Sequence, residues 1–366
     1  MYKLFATIII LALTASSVSG QAFRPRGQSQ SSSTQRSKSA TQTSNRSLEL
    51  RVLVSAQAGV GARHDWMQAL AEVGADRVVA ETSRVQKPSF EEHDTGRSKL
   101  LSIVGIVKQG KLHLPGGKFS IRQTEAIRNH LKKLRDDGAE VTVAKKVGFG
   151  LTAKQLVSVH EQLGEKVGFS TKGRNIGELT NSLLKKSGYP ISIDAGVKLI
   201  ISNAKSKMEF ELEDFSVGTA LALCLRQIGL VFEPKRPQGQ KIQLLVRELD
   251  DKTKNWPVGW PTTESISQIA PKLYVKVPVQ ALETKILDLL NGIEQRMDFP
   301  FIYDQAGIAA KGIDLDTTII NFSRPGKKSS YDMVIDKVLN QCKPKLKSVL
   351  RIDEVGERFL WITPRN

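Results

Sequence analysis

Two stretches of this chain, 114 residues apart, carry the same helix. Val217, Ala220, Leu221, Cys224, Leu225 and Ile228 fall on Tyr331, Val334, Ile335, Val338, Leu339 and Cys342 at one constant offset, and every position recurs at core-facing helical spacing. Such a match requires two copies of one folding unit. Upstream, Tyr189-Pro190-Ile191-Ser192-Ile193-Asp194 returns as Phe299-Pro300-Phe301-Ile302-Tyr303-Asp304 at an offset of 110, so the second copy holds four more residues before its helix. In each, the proline stops the preceding helix and an alternating apolar run follows as a strand. Asp194 and Asp304 read as strand terminators, not catalytic acids.

The first copy runs from Lys166 to Val246. A strand at Val167 to Ser170 precedes a helix opened by Asn175, with Ile176, Leu179, Leu183 and Leu184 as its stripe. The Asp194 strand, a variable loop and the alternating run Met208 to Leu212 follow. Ser216 caps the repeated helix, and Val231-Phe232 with Ile242 to Val246 close a hairpin. The second copy, Leu273 to Pro364, repeats this βαββαββ order. Its first helix is expected to carry Leu282, Ile286, Leu289, Leu290 and Ile293, one turn longer than its counterpart. The helix register puts Cys224 in the place of Val338 and Cys342 in that of Ile228. Each cysteine is therefore expected as a free, buried core residue of a separate domain.

Residues 48 to 147 form a different unit, a small α/β domain. Leu48 to Ser55, Arg77 to Glu81, Leu100 to Val107 and Val141 to Val143 read as strands, with a polar loop between the second and third. Helices are expected around Trp66, Leu70 and Val73, and from Ser120 to Asp137. A bridging helix from about residue 148 to 164 carries a capping-box pattern at Thr152 and Gln155. It opens the span 148 to 250 that holds the first copy. Residues 251 to 271 read as a linker, and 272 to 366 as the second copy. The expected class is α+β.

The first twenty residues have the basic start and short apolar run of a signal peptide, with cleavage after Gly20 or Ala22. That run is shorter than the roughly 17 to 25 residues that span a bilayer, which argues against a permanent anchor. No later segment is long and apolar enough to span, so the mature chain is expected to carry no transmembrane segment and to be exported, periplasmic or extracellular. Residues 21 to 47 are rich in Ser, Gln and Arg and too polar to bury a core. This tether carries Arg24, Arg26, Arg36, Lys38 and Arg46 and no acid. With Lys132, Lys133 and Arg135 on the outer face of the long helix, these are the candidate polyanion contacts. The net charge of +17 is spread over every module. That distribution fits a solvated basic surface, or unspecific attraction to wall polymers or another anionic surface. Few aromatics accompany the basic residues, so no specific nucleic acid partner is expected.

Reactive motifs are lacking. Gly59-Val60-Gly61 resembles the start of a dinucleotide turn, but the third glycine position holds His64. Glu91-Glu92-His93-Asp94 lacks a second histidine at metal-site spacing. Neither a nucleophile elbow nor a zinc-protease helix occurs. No cofactor, metal or catalytic residue is expected.

The first copy, through Met208-Glu209-Phe210-Glu211-Leu212-Glu213-Asp214-Phe215-Ser216-Val217-Gly218-Thr219-Ala220-Leu221 and then Ile228-Gly229-Leu230, resembles the short N-terminal domain of secretins and TonB-dependent receptors. The second copy matches less well, with Cys342-Lys343-Pro344 where the first has Gly-Leu. The closing strands, Leu350 to Glu354 and Phe359 to Pro364, resemble the end of a family of uncharacterised secreted bacterial proteins. The resemblance implies contact modules that meet an envelope protein partner, without enzymatic activity. No barrel-forming run of strands follows, so a pore or receptor is not implied. The alternative is a cell-wall or polyanion-binding protein that uses the tether and basic surface.

Overall fold

The computed structural model describes residues 46–54, 59–82, 87–94, 96, 99–250 and 254–365. The expected signal peptide and the tether residues Arg24, Arg26, Arg36 and Lys38 lie outside them. The described residues mix helix and strand throughout, an α+β chain. Their buried apolar side chains gather into three cores.

The first core is built on β1 (Arg46–Val54), whose Leu48, Leu50, Val52 and Val54 are buried at strand period. Around it stand α1 (Gly59–Leu70), β2 (Arg77–Thr82), β3 (Ser89–Asp94), β4 (Lys99–Lys108), β5 (Lys111–Leu114), β6 (Gly117–Ser120), α2 (Thr124–Asp137) and α3 (Ala139–Val143). The sheet order is β2-β1-β4-β5-β6, with β1 parallel to both neighbours and β3 antiparallel on β4. Two expectations are corrected here. The polar loop contains β3, with Glu91, Glu92, His93 and Asp94 all exposed along it. Val141 to Val143 is helical, because Thr142 N bonds Gly138 O at 3.1 Å instead of joining a ladder. Strand propensity yields to such context.

A hairpin of β7 (Lys146–Gly148) and β8 (Leu151–Thr152) leads into α4 (Ala153–Leu163), with both halves of the Thr152–Gln155 capping box formed. The first copy then comprises α5 (Ile176–Lys186), β9 (Ile191–Ile193), α6 (Ala195–Asn203), α7 (Val217–Gln227), β10 (Leu230–Lys235) and β11 (Gln243–Glu248). Its sheet runs β10-β11-β9, with β9 parallel to β11. The order differs from βαββαββ in two ways. Residues 195–203, expected as loop, are α6, capped by Asp194 through Val197 N at 2.8 Å. The runs at Val167 and Met208 form no ladder: the isolated bridges Lys166↔Ser216 and Asn175↔Lys207 and single bonds such as Val167 N to Phe215 O at 2.8 Å hold them. Met208 and Leu212 are buried as the alternation requires. Their amides are satisfied elsewhere, Met208 N by Arg174 O and Leu212 N by Thr171 Oγ1.

The expected linker is packed structure. Trp256 is buried in the first copy's core, and β12 (Trp260–Pro261) joins the second copy's sheet. After α8 (Ile266–Ile269) come β13 (Lys276–Val277), β14 (Gln280–Lys285), α9 (Ile286–Glu294), β15 (Phe301–Tyr303), α10 (Gln305–Ala310), β16 (Ile319–Ser323), β17 (Ser329–Ser330), α11 (Tyr331–Leu339), β18 (Leu346–Ile352) and β19 (Arg358–Pro364). The main sheet is β12-β18-β19-β15. The first helix of this copy is shorter than expected. Leu282 sits exposed on β14, where Glu283 turns to φ +48° and its amide bonds Asn321 Oδ1 at 2.8 Å. A bulge, not a helical turn, fills the segment.

Both cysteines are free and buried, Cys224 in the first copy's core and Cys342 in the second's. Burial raises both thiol pKa values.

Candidate functional site

The two copies meet through β15 and β19. Phe301, Tyr303, Leu360 and Ile362 belong to the second copy's core, whereas Ile302, Phe359 and Trp361 belong to the first's. Strand alternation therefore gives one sheet two cores. Opposite it lies α7, whose residues 217 to 225 are all buried, unlike α11, which exposes Asp332, Met333, Asp336 and Lys337. A helix apolar on every side is one enclosed by neighbours.

Buried and half-buried polar groups fasten this seam. Asp304 is 1 % exposed, caps α10 through Gly307 N at 3.2 Å and accepts from Arg226 and Thr363. Glu354 accepts from Trp256 Nε1 at 2.6 Å, Trp260 Nε1 at 3.1 Å, Thr219 Oγ1 at 2.8 Å and Ser216 Oγ. His160 packs against both indoles, with ring centroids 4.8 and 4.6 Å away. Burial lowers its pKa, against the opposing pull of Glu354. Asp353 accepts from the amides of Ser216, Val355 and Glu357.

Beside the seam lies a cleft of about 730 Å³. The first copy contributes Lys172, Glu209, Phe210 and Glu211 to its wall; α9, β15, α10 and the loop to Asp316 supply the rest. The floor is apolar, formed by Phe210, Leu287, Phe301, Ile308, Ile313 and Leu315. Phe210 and Tyr303 stack across the junction at 6.1 Å. Five carboxylates line the cleft, Glu209, Glu211, Glu294, Asp314 and Asp316, against the single cation Lys172. On a chain of net charge +17, this acidic lining is a local inversion.

Its ionisable groups are unlike one another. Burial resists ionisation of Glu211, but hydrogen bonds from Ser170, Thr171 and Leu212 prevail and bring its pKa to about 2. Burial raises the pKa of Glu294, with the Phe301 amide and Lys172 opposing. Tyr303 is 7 % exposed, and its Oη has no hydrogen-bond partner among the described residues. Burial and then the Glu294 carboxylate raise its pKa. A buried hydroxyl without a partner costs free energy that an incoming polar group recovers.

None of this was singled out from sequence. The detectable signals were the uncharged run Val217 to Leu225, against the charged α11, and Phe210 on the half-exposed position of an alternating segment. Of the candidate polyanion contacts, Arg46 and Arg135 are brought together, with Arg46 Nη1 donating to Arg135 O at 3.2 Å and Arg46 Nη2 4.0 Å from Glu92. Lys132 and Lys133 are exposed on α2. The histidines are not gathered: His64 and His93 are exposed, His130 Nε2 lies 2.9 Å from Pro115 O, and His160 stands at the seam. Among the described residues, no group of three His, Cys, Asp or Glu is placed to hold a metal ion, and no helix is long and apolar enough to cross a membrane. No family model, curated protein or solved structure matches the chain.

Proposed function

We propose that this chain is an exported protein-contact module of the cell envelope, acting without catalysis, and that its contact surface is the cleft between the repeated units. The observation that carries this reading is the cleft's construction: an apolar floor and an unpaired buried hydroxyl at the seam of two copies of one fold. The carboxylates at the seam, the buried Asp304 and Asp353 and the half-buried Glu354, are engaged in structural hydrogen bonds. Kinship of both copies with the short N-terminal domain of secretins and TonB-dependent receptors belongs to this proposal. The shared helix caps support it, Ser216 to Thr219 N and Ser330 to Met333 N.

Photo-crosslinking in the native envelope tests the reading. Benzoylphenylalanine at Asn291 or Asp316 in the cleft is expected to give discrete protein adducts, and the same residue at Lys118 or Glu140 in the first module none. Adducts that do not distinguish these positions exclude the cleft as the contact surface.

A second reading, polyanion or wall binding, is favoured by one observation. Lys133, Lys146 and Arg236 lie near one another: after burial, Arg236 and Lys133 lower the pKa of Lys146, with Asp137, 3.9 Å from Arg236, opposing them. Heparin retention that falls with salt and with Lys132→Ala/Lys133→Ala supports it; unchanged retention removes it.

A further inference from the structure

We propose that the cleft receives a basic, apolar-flanked segment of a partner polypeptide, whose Lys or Arg side chain enters beside Tyr303 and Glu294. This inference rests on the cleft being the contact surface. The lining selects the sign of the ligand: five carboxylates face one lysine, so an acidic segment is repelled and a cationic one attracted. Tyr303 lines the cleft, and its Oη is shielded from solvent and without a hydrogen-bond partner among the described residues, so a donor that displaces its cover gains a polar contact there. An ammonium or guanidinium donates to it and takes Glu294 as its counter-charge. The aromatic pair Phe210 and Tyr303 adds a surface that favours a cation.

The apolar floor selects the size. Leu287, Ile308, Ile313 and Leu315 add apolar lining that a lone cationic head does not match, and the cleft's volume of about 730 Å³ accommodates several side chains. A small polyamine leaves that floor wet, whereas a peptide with aliphatic neighbours covers it.

The test is fluorescence anisotropy on the mature chain with a labelled octapeptide of alternating Lys and Leu. The Glu-Leu counterpart and spermidine are compared with it. Because the whole protein carries +17, unspecific attraction of the basic probe is disfavoured, and saturable binding reports the local inversion. Saturable binding of the Lys-Leu probe is expected, with none of the Glu-Leu probe and only weak displacement by spermidine. Tyr303→Phe and Glu294→Gln are each expected to weaken binding about tenfold. Both variants preserve shape, and their folding is checked by thermal melts. Asp314→Asn/Asp316→Asn, on the exposed rim, gives an independent loss of affinity.

Binding insensitive to all these variants overturns the site. Spermidine displacing the probe at equal concentration overturns the polypeptide source. Cleft-specific crosslinks without Lys-Leu binding overturn the cationic class alone; absence of both removes the contact reading as well.

Discussion

Arg226 on α7 and Asp304 at the end of β15 are joined by two charge-assisted hydrogen bonds, Nε to Oδ2 at 3.0 Å and Nη2 to Oδ2 at 2.8 Å. One residue belongs to each copy. Asp194, the equivalent aspartate of the first copy, has the same capping role on α6 but is not among the buried polar residues. Both aspartates cap the helix that follows, and only Asp304 also has an arginine partner across the seam.

Removing that partner leaves a carboxylate at 1 % exposure without its countercharge. Arg226→Ala is expected to destabilise the protein by about 3 kcal/mol, read as a lower urea midpoint. Asp304→Asn, which keeps a capping oxygen, is expected to cost less than Asp304→Ala.

Glu354 gathers four donors from Ser216, Thr219, Trp256 and Trp260. Glu354→Ala strands them and is expected to cost roughly 2 to 4 kcal/mol. Tryptophan emission is the direct readout, with a red shift as water reaches the two indoles. Unchanged emission and stability contradict the role assigned to the seam.

Glu211 titrates at about 2, below the ordinary glutamate value of about 4.5. Its ionised form therefore stabilises the fold above the unfolded-state pKa, and this contribution is lost as pH falls towards 2. Glu211 is exposed, so screening holds the effect to about 1 kcal/mol or less. Glu211→Gln is expected to be less stable than the parent at pH 7 and to converge with it near pH 2, as followed by urea midpoints.

Gly177 admits the backbone of α6 against α5, and a Cβ there stands 2.2 Å from Ile201 O. Gly177→Ala is expected to cost roughly 2 to 3 kcal/mol. Gly292→Ala in α9 meets nothing within 4 Å and is expected to raise stability by up to about 1 kcal/mol. Paired thermal melts separate the close approach from helix propensity.

Local chemistry was the legible part of this chain. Thr152, Asn175, Ser216 and Ser330 each open a helix with the cap read from sequence. The caps at Asp194 and Asp304 were missed because an aspartate after a strand ends one element and opens another alike. At Met208 to Leu212 the alternation correctly marked the buried residues but not the ladder. Burial alternates in any extended segment over a core, whether or not a neighbouring strand supplies hydrogen bonds.

By itself the sequence determined the α+β class and the pattern of one helix recurring at an offset of 114, because helical spacing and capping act over a few residues. Which surfaces the copies present to each other was decided only in the tertiary structure. Ile302, Phe359 and Trp361 turn to the first core while their neighbours turn to the second, and Phe210 closes against Tyr303. Those pairings join residues about a hundred positions apart, where periodicity carries no information and packing alone chooses the partner. The acidic cleft is their product: dispersed carboxylates of a basic chain become one lining only when the two copies close around it.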